Sequence, residues 1–420
     1  MLKRRQLLKH LGTLPLVGGL FSLPERLDVK PAVNKMPGVR RDYFKELGVR
    51  TFINAAGTYT AMTSCLMHEE VIDAYLYASN QFVNLDELHD RVGERIAELV
   101  HCEGAMVTAG AASAITLGVA GVLTGLDAGR ADRIPNDLTG MKSEVIIQKT
   151  HRVGYDHAIR NTGVKLIEVE TAKEMEAAIN EKTALMWFLN ANNYTGKVQW
   201  DEFVRIAKKY NIPTMNDCAA DVPPVENLWK YTGMGFDLVC FSGGKGLRGP
   251  QSAGLLLGKK DLIKAARLNA PPNGSTIGRG MKVNKEEMLA MLVTVESYLT
   301  RDHAADWKLW EHQVKVIADA VVAIPGVVTT KHVPDVANHV PSLKISWDQN
   351  IIKMNGDDAR NKLRFGHPSI QTVGDKDSLG ITTWMLNPGE ERIVAKRVKE
   401  ILSGMETCSS PIKDWTKFLN

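Results

Sequence analysis

Cysteine is scarce in this chain and poorly placed for cross-linking. There are five among 420 residues, Cys65, Cys102, Cys218, Cys240 and Cys408. The number is odd and no pair has CxxC spacing, so neither a disulfide framework nor a zinc site is indicated, and buried or near-site thiols are the reading. No HExxH or other ligand-pair spacing links His89, His151 and His157, which leaves a metal-dependent hydrolase without support and no metal expected. No GxGxxG follows an apolar run, and the glycine-lysine stretch at 243–246 lacks the Ser or Thr that a phosphate loop puts after its lysine. A net charge of +4 is small for this length, and no basic block interleaved with aromatics occurs, so no nucleic-acid partner is expected. Internal repeats and low-complexity tracts are also missing.

What remains is an ordinary soluble composition, 44% hydrophobic and 24% charged, on a chain long enough for a large core and two or three structural units. The N-terminus stands apart. Lys3-Arg4-Arg5-Gln6-Leu7-Leu8-Lys9 precedes an apolar run from Leu11 to Leu23 that is too short to span a bilayer. A twin-arginine (Tat) export signal with a periplasmic destination and no stable membrane anchor is the expectation, with residues 1–36 as signal and linker.

Beyond residue 37, short apolar runs alternate with amphipathic segments. The runs are Ala105 to Thr108, Val145 to Ile147, Val164 to Val169, Ala184 to Leu189, Ile212 to Met215, Leu238 to Phe241 and Ala253 to Leu257. This alternation predicts an α/β fold with a mostly parallel sheet covered on both faces, in which ligands sit at the carboxyl ends of the strands. Helical spacing over Asn284 to Thr300 and Trp307 to Ile324 follows. The remainder reads as a smaller α+β domain, which places a large domain at 37–300 and a small one at 301–420.

One stretch carries the chemistry: Phe241-Ser242-Gly243-Gly244-Lys245-Gly246-Leu247-Arg248-Gly249-Pro250-Gln251. A lone lysine among glycines, directly after an apolar strand, puts an amine at a strand end on backbone that other atoms can approach closely. Desolvation there lowers its pKa and makes it a nucleophile toward an aldehyde, as a Schiff-base lysine requires. Pyridoxal phosphate held by such a lysine needs further partners, and each is available at a strand end. Asp217 would keep the pyridine nitrogen protonated. His151 would stack on the ring, and Asn190 or Asn192 would meet the phenolic oxygen. Gly110, Ala111 and Ala112, where a strand turns into a helix, would give N–H groups to the phosphate, with the Ser242 hydroxyl beside them.

That order of parts resembles the fold-type I pyridoxal-phosphate enzymes, with a large domain built on a seven-stranded, mostly parallel sheet. Within them the chain is similar to the selenocysteine-synthase-like family, its D-glucosaminate-6-phosphate ammonia-lyase type in particular. The matching stretches are Ile53 to Thr58, Arg91 to Leu99, Val107 to Ala112, His151 to Ile159, Ser242 to Gln251 and Ile277 to Val283. The resemblance implies that Lys245, Asp217 and His151 are catalytic, that Gly110, Ala111, Ala112, Asn192 and Ser242 bind the cofactor, and that Arg279, Lys282 and Tyr155 bind substrate. It further implies a homodimer or larger homo-oligomer, and α,β-elimination from a 2-amino-3-hydroxy acid to a 2-oxo acid and ammonia. His151, Tyr155, His157 and Lys245 itself are the candidates for the general acid. Racemase, aldolase and aminotransferase chemistry would start from the same Cα carbanion, and a non-catalytic binding protein is the other class. The export signal argues against tRNA-linked selenium transfer and against a phosphorylated sugar acid, both of which belong to the cytosol.

Overall fold

The run Thr183–Leu189 is buried at all seven positions, which requires a strand covered on both faces. Its side chains divide with period two. Met186 and Phe188 join one apolar cluster, while Leu185, Trp187 and Leu189 join another on the opposite face. The computed structural model describes residues 41–405; the twin-arginine segment, the linker that follows it and Cys408 lie outside the described residues. A first unit ends at Arg50, and its described part holds one short helix, Tyr43–Glu46, capped by the Asp42 carboxylate. The second unit starts at Thr51.

In chain order the strands of this second unit are β1 (Ile53–Asn54), β2 (Gly104–Thr108), β3 (Glu144–Gln148), β4 (Lys165–Val169), β5 (Thr183–Leu189), β6 (Thr214–Asp217), β7 (Leu238–Ser242) and β8 (Gly254–Gly258). They are followed by β9 (Val327–His332), β10 (Ser342–Trp347), β11 (Ile370–Gln371), β12 (Val373–Asp375) and β13 (Ser378–Thr382). The large sheet runs β2-β8-β7-β6-β5-β3-β4. In it β8 is antiparallel to both neighbours and all other pairs are parallel. Val92, Ile96, Phe203, Met288 and Val295, from helices Leu85–Leu99, Trp200–Lys209 and Lys285–Thr300, cover one face. Ile115, Leu117 and Ile263, from helices Gly110–Thr124 and Lys260–Leu268, cover the other. The predicted strands all fall in this sheet, and Asp217, expected just beyond its strand, is the last residue of β6.

A second, antiparallel sheet has the order β12-β13-β10-β9. Its apolar side, with Leu343, Ile345, Leu379 and Ile381, packs on helices His303–Val321 and Glu390–Leu402. Ile53 and Ala55, in the 37–300 stretch, join this C-terminal core. The reason is pairing: β1 runs parallel to β11, the Ile53 N–H donates to Ser369 O at 2.9 Å, and the Thr382 N–H donates to Ala55 O at 3.0 Å. A short break at Arg301 and Asp302 separates helices Lys285–Thr300 and His303–Val321.

Truncating Ile53, which is 8% exposed, removes a core contact and loosens this pairing. Ile53→Ala is expected to lose about 2 to 5 kcal/mol in urea unfolding, against under about 0.5 kcal/mol for the more exposed Ile393→Ala. Equal losses for the two variants would contradict the role assigned to β1.

Candidate active site

At the carboxyl edge of the large sheet the strand ends are neighbours by register. Thr108 pairs with Gly254, Gly254 with Ser242, Cys240 with Asp217, and Asp217 with Leu189. The loops that leave these positions therefore converge. Lys245 lies three residues past Ser242, in a loop closed by Gly249 N–H donating to Gly243 O at 2.8 Å and Arg248 N–H donating to Lys245 O at 2.9 Å. A Cβ on Gly246 would stand 1.9 Å from the Val222 carbonyl oxygen, so only glycine lets the lysine loop lie against the loop that follows β6. The Lys245 amine is half-buried. Burial pushes its pKa below the usual lysine range, against the attraction of Asp217 and Asp221.

Asp217 is 6% exposed. Its Oδ1 accepts the Ala219 N–H at 3.0 Å and the Cys240 thiol at 3.6 Å. Burial raises its pKa, opposed by the Ala219 N–H and the charge of Lys245. A carboxylate so placed is stabilised by any cation that arrives beside it, and a protonated ring nitrogen is one. Asp221, four residues on, is a second buried carboxylate in the field of the same lysine. Its Oδ1 accepts the Asn190 amide at 2.8 Å and the Ala337 N–H at 3.0 Å. Burial still pushes its pKa up to about 6, and the charge of Asp217 adds to the rise.

The Asn190 amide nitrogen also donates to the Tyr231 hydroxyl at 2.8 Å, and its carbonyl accepts the Asn216 amide at 3.2 Å. Fully buried, Asn190 is a truss for Asp221 rather than a partner for a ring oxygen. Asn192 is the half-buried one of the pair and donates to Thr150 O. At the other end of the edge, helix Gly110–Thr124 starts at a glycine with φ +77°, with no side chain capping its first turn. Those N–H groups lack helical partners and suit an anion. A Cβ on Gly254 would lie 2.5 Å from the Gly110 carbonyl carbon and 2.8 Å from the Ala111 nitrogen. Glycine at 254 is what allows β8 to pass beneath the turn, with Ser242 on its far side.

Other expected residues are placed differently. His151 is 0% exposed: its Nδ1 accepts the Leu189 N–H at 3.1 Å, and its ring meets Phe188 edge-on at 4.5 Å. Burial takes its pKa down to about 4. Both ring nitrogens are engaged, Nδ1 by the Leu189 N–H and Nε2 by the Gln148 amide at 3.3 Å. Tyr155 is 74% exposed. Arg279 and Lys282 are exposed and form no ion pair with any described residue. No described contact ties these three to Lys245. The structure thus gathers Lys245, Asp217, Ser242 and the Gly110–Ala112 turn, a set that fits pyridoxal phosphate in each of its demands for amine, carboxylate and phosphate cradle. Asp221 was missed from sequence. Its signal was its position four residues past Asp217 in the same strand-end loop.

The model of the L-seryl-tRNA selenium transferase family, SelA, matches residues 52–317. The chain belongs to the SelA family. Among curated proteins, D-glucosaminate-6-phosphate ammonia lyase of Salmonella typhimurium (strain 14028s / SGSC 2262) is 28% identical over 374 residues, 85% of this chain and 97% of the relative. A 5'-C-glycyluridine monooxygenase-decarboxylase of Streptomyces sp is 27% identical over 394 residues, covering 90% and 96%. The solved structure of a D-glucosaminate-6-phosphate ammonia-lyase superposes with a TM-score of 0.76 at 26% identity, over 87% of this chain and 99% of that one. The architecture of this SelA-family chain is the fold-type I arrangement expected from sequence, a large mixed but mostly parallel sheet joined to a smaller antiparallel one.

The folded pKa of Asp221, about 6, stands above the ordinary 3.8, so the folded state holds this proton more tightly than the unfolded chain. Stability therefore falls as pH rises between about 4 and 6, by on the order of 3 kcal/mol. Asp221→Asn keeps the Oδ1 acceptor for Asn190 and Ala337 but cannot ionise. It is expected to melt above the wild type at pH 7, with the gap closing at pH 4. The same Tm offset at both pH values would contradict this account.

Proposed function

We propose that this SelA-family protein is a pyridoxal-phosphate-dependent lyase that eliminates water from a 2-amino-3-hydroxy acid to give an enamine, whose imine tautomer takes water back to release a 2-oxo acid and ammonia. The observation that carries the reading is the meeting, at one strand edge, of a desolvated lysine, a buried carboxylate and an uncapped helix start. The 28% identity to an ammonia lyase over nearly all of both chains supports the reaction class.

Bound there, the cofactor supplies an electron sink for charge developing at the substrate Cα. Lys245 would hold the cofactor through its amine and, once free, would take the Cα proton, a role that the lowering of its pKa by burial favours. Asp217 would pair with the ring nitrogen and keep it protonated. The N–H groups of Gly110, Ala111 and Ala112, with the Ser242 hydroxyl, would hold the phosphate, and Asn192 would meet the phenolic oxygen. Arg279, Lys282 and Tyr155 would bind another part of the substrate or meet a group from a neighbouring subunit. Ile72, Leu76, Tyr77 and Phe82 leave an apolar surface open, which supports a homodimer or larger assembly. Export through the twin-arginine route would deliver the folded protein to the periplasm.

A second reading is favoured by the Streptomyces relative, whose named reaction is an oxygen-dependent decarboxylation at similar identity. The two separate cleanly. Ammonia released from a hydroxy amino acid without oxygen supports the lyase, whereas oxygen-dependent loss of carbon dioxide from every accepted substrate supports the other.

The purified protein is expected to be yellow, with a band removed by borohydride, and Lys245→Ala to be colourless with ammonia release lowered roughly 10²- to 10⁴-fold or more. A wild type that stays colourless after incubation with pyridoxal phosphate would overturn the proposal.

A further inference from the structure

Three residues after Lys245, Arg248 occupies an uncommon position. Its φ is +58°, in the left-handed region that favours glycine. Seven non-glycine residues have positive φ among the described residues, and five of them, Thr63, Ser64, Arg248, Ala337 and Asn338, lie on segments that touch the lysine loop or the loop after β6. Strain gathered in this way is held by its surroundings and marks working sites more than scaffold.

The Arg248 side chain is half-buried, and its Nε donates to the Leu66 carbonyl at 2.9 Å. No carboxylate among the described residues pairs with it; the nearby Asp306 is taken by Arg301 at 2.6 Å, and Glu70 accepts from Ser297. Burial lowers its pKa and Arg301 repels it. Burial and then these same two guanidiniums hold His68 down at about 4. The fork of Arg248 is thus a desolvated cation with no carboxylate in contact among the described residues, attracted only at a distance by Asp306 and Glu70.

The segment that supplies Leu66 also leads to two further unmet donors. It is fastened to the lysine loop by the Cys65 thiol on Gly249 O at 3.5 Å and the Gln251 amide on Thr60 O at 3.2 Å. At its start, the Cβ position of Gly57 (φ +112°) faces Thr382 Oγ1 at 3.5 Å and Trp384 Nε1 at 3.6 Å. Both atoms are buried and neither has a hydrogen-bond partner. Trp384 packs in turn against Cys65 and Val340. A buried donor left unmade costs about 1 to 3 kcal/mol, so two beside one glycine, on the segment that holds an unpaired guanidinium, point to a missing acceptor. Every unmet group here can donate a proton, and the one full charge among them is positive.

We propose that Arg248, with the Thr382 hydroxyl and the Trp384 indole N–H, receives the carboxylate of the amino acid substrate. This rests on the lyase reading above and adds to it the residues that select for an acid. The two donor atoms are closed to solvent, so the carboxylate reaches them as the 57–66 segment shifts.

The test is a titration of the cofactor-loaded protein, following its visible band, with D-glucosaminate 6-phosphate, D-glucosaminate and D- and L-serine, and with the matching serinamides. Arg248→Gly suits φ +58° and should keep both the band and the melting temperature. It is expected to weaken the carboxylates by about 10- to 100-fold while changing the serinamides less than about threefold. Arg248→Lys, which keeps the charge and loses the fork, should weaken the carboxylates by about tenfold, and Thr382→Val and Trp384→Phe by smaller factors. Equal weakening of acids and amides, unchanged affinity in Arg248→Gly and Arg248→Lys, or a wild type that binds none of the acids overturns the proposal. A wild type without a borohydride-sensitive band removes the lyase reading and this proposal with it; a band with indifferent variants removes this proposal alone.

Discussion

An amine and two carboxylates are held out of water at the end of one sheet, and the rest of the site follows from that. Each buried ion costs several kcal/mol unless it is paired or hydrogen-bonded. Asp221 meets part of the cost through Asn190 and the Ala337 N–H, and Asp217 through the Ala219 N–H. Lys245 balances both from across the lysine loop. The arrangement stays unsettled in one respect, since burial drives the lysine toward its neutral form and Asp217 toward its protonated form. A ligand that brings an electrophile to the amine and a cation to the carboxylate relieves both at once.

Close backbone approach is the second condition. Gly246 against Val222 sets the lysine loop against the loop after β6, and Gly254 sets β8 against the Gly110 turn. The C-terminal half then closes the rim: Asn338 N–H donates to Ala220 O at 2.7 Å, and Ala337 N–H reaches Asp221 itself. The site is therefore shared between the two sheets, although the lysine and Asp217 both stand on the larger.

Much of this was legible in the amino-acid order. The large-sheet strands are short apolar runs between helical patterns, so their number and place follow from periodicity alone. Lys245 and Asp217 could be set at strand ends because each directly follows such a run. His151 follows one too, and its ring meets Phe188 edge-on. Asp221 reads as a solvated loop acid until the fold covers it. Strands β11 and β12, two and three residues long, fall below any periodic signal. The partner of Ile53 lies beyond the reach of local pattern, because β1 is defined only by what it pairs with.

That pairing bears on how the chain is made. Ile53 and Ile370 are roughly 300 residues apart, and contacts of such long separation form late. As the polypeptide leaves the ribosome, the large sheet can assemble while the segment from Ile53 to Leu66 still waits for a neighbour that has yet to be synthesised. The segment that contacts the lysine loop settles only when nearly the whole chain is available. Until then the lysine loop lacks its ties from Cys65, Leu66 and Thr60 to Gly249, Arg248 and Gln251.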